Sequence, residues 1–132
     1  MGFFARIFGI SKSRPPENAG CWKYSGGRVE IDIKQASELS EEGGAIQLEG
    51  KGLQERILVL HGSDGEYHAI RNKCTHMGRR LDFLAGDASI RCCSISKSTY
   101  SFKGDVISGP AKGTLKTYQA KTENNKLVIS IK

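Results

Sequence analysis

The sequence predicts an all-β fold, an antiparallel sandwich or barrel, and three observations carry that expectation. Apolar and polar residues alternate over short segments, as at Val29, Ile31 and Ile33, which is the period of a half-buried strand. Such segments follow one another closely, separated by turn-forming pairs such as Asp64-Gly65, Lys103-Gly104 and Asn124-Asn125. Finally, 132 residues fit one domain with a core of its own, and no apolar run approaches the roughly 20 residues of a membrane span. The apolar share of 38% and charged share of 26% are those of an ordinary soluble domain.

Two regions are expected, an amphipathic segment with its linker over 1–20 and the folded domain over 21–132. In the first, Phe3, Phe4, Ile7 and Phe8 recur at helical spacing beside Arg6, Lys12 and Arg14, the pattern of a short amphipathic helix. Residues 1–14 could lie in a membrane interface, or pack by the same face on the domain or a second copy of it. Gly2 offers a poor myristoylation signal, because Arg6 stands where serine or threonine is required. Pro15 and Pro16 end any helix and make 11–20 a linker. A strand is then expected over 29–33, followed by a short helical turn or loop over 35–44 that ends in glycines. Segments 56–60 and 66–70 flank the turn 61–65 as a hairpin. Further strands are expected over 89–93, 99–102, 105–108, 115–120 and 127–131.

Charge narrows the partners. Of the net +6, residues 1–28 supply +4, from Arg6, Lys12, Arg14, Lys23 and Arg28 against Glu17. A basic head on a nearly neutral body argues against nucleic-acid binding and leaves acidic lipid or an acidic protein open. The four cysteines, Cys21, Cys74, Cys92 and Cys93, include two neighbours in a chain whose sequence shows no export signal. That pattern favours metal or redox chemistry in a reducing cytoplasm over disulfides. Cys21 and Trp22 are expected to pack at the domain's edge.

Cys74-Thr75-His76-Met77-Gly78 is separated from Cys93 by the 16 residues that follow His76, and Ser98-Thr99-Tyr100-Ser101-Phe102, a Lys-Gly turn and Ser108-Gly109-Pro110-Ala111 come after. Over roughly residues 28–132 this resembles the Rieske family. In that family a Cys-x-His loop and a Cys-x-x-His-Gly loop hold a 2Fe-2S cluster, two thiolates on one iron and two imidazoles on the other. The resemblance implies a Rieske-like antiparallel sandwich or barrel with a cluster-binding subdomain of two loops, and ligands at Cys74 and His76.

The second loop departs from the pattern. Aligned through Ser98–Ser101, the family's cysteine falls on Cys93, its histidine on Ser96 and its glycine on Lys97. If strand alternation from Ile90 sets the register instead, the cysteine is Cys92 and the histidine position is Ile95. Neither register supplies an imidazole, and Cys93 is preferred because Tyr100 and Phe102 then share a face. High-potential relatives brace the cluster with a disulfide between positions that fall here on Arg79 and Ile95, which leaves Pro110 as the implied cover. The fourth ligand could be Ser96, Cys92, water, or a distant histidine such as His61 or His68, although both histidines flank an exposed turn. Thiolate is the best match to iron, but neighbours in a strand face opposite ways, so Cys92 and Cys93 can both ligate only where the backbone leaves β geometry. An anion replacing neutral imidazole lowers the potential from the Rieske range of roughly −150 to +300 mV toward that of all-thiolate clusters.

The expected function is electron transfer by a ferredoxin-like redox component, cytoplasmic or peripheral to a membrane, with redox proteins as partners and no nucleic acid. It is not expected to be an enzyme itself, since no nucleotide-binding loop or paired nucleophile and base is visible and the chain is too short for an oxygenase's catalytic domain. Arg79 and Arg80 could steer an acidic partner. Two alternatives stay open: a Rieske-fold interaction module without a cluster, and a mononuclear zinc or iron site built from Cys74, His76 and one or both of Cys92 and Cys93.

Overall fold

Antiparallel pairing organises the described residues. The computed structural model describes residues 15–62, 64–73, 81–84, 89–92, 99–101, 104–108 and 115–131. Among these are eleven strands and two 3-10 turns, Ala19–Cys21 and Ser37–Leu39, with no α-helix. The strands are β1 (Trp22–Ser25), β2 (Arg28–Asp32), β3 (Ala45–Leu48), β4 (Ile57–His61), β5 (Tyr67–Arg71), β6 (Leu81–Leu84), β7 (Ser89–Cys92), β8 (Thr99–Tyr100), β9 (Val106–Ser108), β10 (Thr117–Glu123) and β11 (Lys126–Ser130). Seven of them form one sheet in the order β1-β2-β11-β10-β5-β4-β3, and four form a second in the order β6-β7-β8-β9. The all-β expectation holds.

The turn chemistry explains the tight hairpins. Asn124 and Asn125 both have positive φ, 49° and 66°, and close the two-residue loop between Glu123 and Lys126. Asparagine tolerates this left-handed conformation, and two such residues fit the twist of a hairpin.

Strand β10 joins the halves of the large sheet. Its Thr117 and Tyr118 pair with Ile70 and Ala69 of β5, whereas Gln119 to Glu123 pair with β11. The two halves bury a common core: Val29, Ile31, Leu127 and Ile129 from one, Ile46, Leu48, Ile57, Val59 and Ala69 from the other. Trp22 and Cys21 close its edge, and Lys51 clamps that end of the chain, donating to the carbonyls of Ala19 and Trp22 with its ammonium 4.4 Å from the centre of the Trp22 ring. The attachment extends back to Pro16, which is buried, and Glu17, whose N–H donates to Glu38 Oε2 at 2.7 Å.

A second core lies on the other face of β4 and β5. Leu58, Leu60 and Ile70 pack there with Leu81, Ile90, Tyr100 and Leu115. Alternation explains the division, since Ile57 and Val59 point to one core and Leu58 and Leu60 to the other. The unbroken apolar run of β4 therefore marks a strand covered on both faces, and the small sheet is docked through it.

Candidate metal centre

The small sheet brings together the roots of the two segments in which the sequence places candidate ligands. Segment 74–80 runs from the end of β5 to Leu81, the first residue of β6, and segment 93–98 leaves from Cys92, the last residue of β7. In the register of these strands Leu81 stands directly opposite Cys92, and Leu84 opposite Ser89. Both segments thus attach at the same end of the β6–β7 ladder, on strands that neighbour at about 4.8 Å, while the β6–β7 connection lies at the other end. Ile90 opposite Tyr100 continues the register into β8, where segment 93–98 ends. Cys74, His76, Cys93 and Ser96 themselves lie outside the described residues, as do Arg79, Arg80, Pro110 and the amphipathic segment 1–14. Cys92 is the last described residue of β7, with its backbone opposite Leu81.

Asn72 forms the neck of the first segment. It is fully buried, and its Oδ1 accepts the Leu81 N–H at 2.6 Å. The Asn72 N–H donates to the Arg56 carbonyl at 2.8 Å, and Arg56 Nε donates to the Asn72 carbonyl at 3.1 Å. The root of segment 74–80 is therefore fixed to the residue before β4 and to the first residue of β6. Asn72 Nδ2 is buried without a hydrogen-bond partner among the described residues. Nothing periodic marks this asparagine in the sequence, where it sits among Arg71, Asn72 and Lys73.

The histidines considered as distant ligands are engaged elsewhere. His61 Nδ1 donates to the Leu39 carbonyl at 2.9 Å, and its ring lies 4.7 Å from that of Tyr67. His68 Nε2 and Asp64 Oδ2 are 2.8 Å apart. Both histidines belong to the turn end of the β4–β5 hairpin, whereas segment 74–80 leaves the opposite end of β5. At about 3.3 Å per residue, His68 lies some 13 Å before Asn72. His61 is half-buried and hydrogen-bonded instead of solvated.

Asp64, Glu66 and His68 place ligand atoms within 4.8 Å of one another, but the group is largely exposed and its mutual hydrogen bonds account for it. Slight burial raises the Asp64 carboxyl; the Glu66 N–H and His68 outweigh that and hold it below the usual carboxylate range. A depressed acid stabilises the fold above its unfolded value and stops doing so as pH falls through the folded one. Asp64→Asn should therefore lower the urea midpoint at neutral pH, and the gap from wild type should close under acid.

Cys21 is buried at the edge of the first core. Burial, with the negative charge of Glu38 behind it, pushes its thiol up, so it stays protonated at neutral pH. This matches a packing role.

A chain built of antiparallel strands, with two cysteine-bearing segments rooted side by side on a small second sheet, has the architecture of a Rieske domain. The Rieske [2Fe-2S] domain family model matches residues 30–119, and the chain belongs to that family. It is similar to the cytochrome b6-f complex iron-sulfur subunit of Chlorobaculum tepidum, 36% identical over 75 residues that cover 57% of this chain and 40% of the relative. A similar protein from Chlorobaculum thiosulfatiphilum is 31% identical over 78 residues, covering 41% of its length. The chain thus spans about two fifths of the length of these relatives. Among solved structures, the ferredoxin of carbazole 1,9a-dioxygenase from Nocardioides aromaticivorans shares the fold, with a TM-score of 0.60 and 18% identity over 73% of this chain and 91% of that one. The plasma membrane Rieske protein of Synechocystis PCC 6803 gives a TM-score of 0.54 and 24% identity over 64% and 85% of the two chains. No helix among the described residues is long and apolar enough to cross a membrane.

Proposed function

We propose that this chain is a one-electron carrier, a ferredoxin-like redox component, whose [2Fe-2S] cluster is held by Cys74, His76 and Cys93 with an altered fourth ligand. The observation that carries this reading is the shared root of segments 74–80 and 93–98 at Leu81 and Cys92. The donor chemistry fits at three positions, two thiolates and one imidazole, and the fourth carries Ser96 in the preferred register. The buried, unpartnered Nδ2 of Asn72 also fits, as a donor two residues before Cys74.

When bound, the cluster supplies a centre that gains and loses single electrons. The chain's own part is to hold two adjacent loops on a rigid double-faced hairpin and to set the charge around the iron. An anionic oxygen or sulfur in place of imidazole raises the negative charge and lowers the potential. A family relative in a cytochrome complex and a structural neighbour named as the ferredoxin of a dioxygenase favour redox proteins as partners. In this reading 21–132 is the redox domain, 1–20 is an amphipathic segment and linker, and the protein is cytoplasmic with residues 1–14 available for peripheral membrane contact.

EPR of the dithionite-reduced protein, with Ser96→His and Ile95→His beside wild type, tests the assignment. Wild type should give a spin-one-half cluster signal, and Ser96→His should convert it to a bis-imidazole Rieske signal while Ile95→His does not. A conversion by Ile95→His alone would move the ligand to Cys92. Silence in all three chains would leave the interaction module without a cluster, or a mononuclear zinc or iron site.

A further inference from the structure

We propose that Asn72 is the positioning residue for the first candidate ligand segment, tying the end of β5 to the start of β6 with its side-chain carbonyl. The inference rests on the reading that segments 74–80 and 93–98 hold the cluster. Three groups of Asn72 are already committed. Its N–H and carbonyl are both bonded to Arg56, which fixes the residue on the large sheet. Its Oδ1 takes the Leu81 N–H across a separation of nine residues, so the two ends of segment 73–80 are tied at one point.

That bond reaches further than the first loop. Leu81 pairs with Cys92, so the single amide oxygen of Asn72 sets the position of the residue on which the second loop also depends. The fourth group, Nδ2, is buried and has no described partner, and a buried donor of this kind is ordinarily satisfied.

The test compares the full-length wild type with Asn72→Ala and Asn72→Asp, the latter keeping the acceptor. In the metal-free chain, amide exchange at Leu81 should quicken about tenfold or more in Asn72→Ala, stay within about threefold in Asn72→Asp, and change less than about twofold at Ile46 and Ile129 in either. In the reconstituted chain, Asn72→Ala should shift or broaden the cluster's EPR signal and Asn72→Asp should change it less. Unchanged exchange at Leu81, exchange quickened equally at all three amides, or an EPR spectrum of Asn72→Ala identical to wild type would each overturn the proposal. If wild type itself takes up no iron, the electron-transfer reading falls, and the Leu81 exchange alone decides the neck.

Discussion

Ile70→Ala is expected to destabilise the fold by about 2–5 kcal/mol, the range for truncating a fully buried aliphatic side chain. Ile70 is fully buried in the core between the large and small sheets, among Leu58, Leu60, Leu81, Ile90 and Tyr100. On its own strand it is paired on both sides, with Leu58 and with Thr117, so the backbone cannot readily collapse into the vacated space. Domains of this size are stable by about 5–15 kcal/mol in all, and one such change removes a large fraction. Its second effect is local: the face on which the small sheet docks is eroded, so amide protection in β6 and β7 should fall more than in β2 and β11. Ile107→Ala is the control, because Ile107 is 59% exposed and its loss should change stability by no more than about 0.5 kcal/mol. Urea unfolding of the two variants decides the point, and equal midpoints would contradict the two-core account.

Cys74→Ala is expected to abolish cluster binding while the β fold persists. Loss of a group that merely orients a ligand costs metal affinity about 10–100-fold, and loss of a thiolate ligand should exceed that. Far-ultraviolet circular dichroism should be nearly unchanged, since the eleven strands and the described members of both cores come from other segments. Cys21→Ala supplies the contrast, because that thiol is buried at the edge of β1 and kept protonated. It should retain iron in full and lose only packing. Iron and sulfide assays on both variants give the result, and a loss of iron in Cys21→Ala would place a ligand where the account has none.

Much of this fold was legible because its strands alternate. The expected strand over 29–33 is β2, the hairpin over 56–70 is β4 and β5, and the turn at Asn124-Asn125 lies where the pattern put it. Several boundaries differ for tertiary reasons. β10 begins at Thr117 and not at 115, because Leu115 donates to the Gly104 carbonyl and the Lys116 carbonyl accepts from Arg71, outside the β10–β11 ladder. The described parts of β7 and β8 are Ser89–Cys92 and Thr99–Tyr100, with a register shift at the latter against β9.

Strands β1, β3 and β6 were not anticipated. Each is four residues long, and Trp22–Ser25 and Leu81–Leu84 carry too few alternations to stand out. The same limit governs the site. Cysteine and histidine spacing suggests candidate ligand positions, because ligation constrains residue type and interval together, although the adjacent Cys92 and Cys93 leave two registers open. Asn72 is invisible to such reasoning, since its importance arises only when the ends of β5 and β6 meet in space. His61 shows the reverse case: its position in a turn suggested a solvated side chain, and only the approach of Leu39 reveals its partner.

The central claim is that this Rieske-family chain carries a [2Fe-2S] cluster in spite of its missing imidazole. Its most direct test is a paired iron and acid-labile sulfide assay on wild-type protein expressed with iron supplied and purified without oxygen. The account predicts about two irons and two sulfides per chain. Metal without sulfide, or neither, would contradict it.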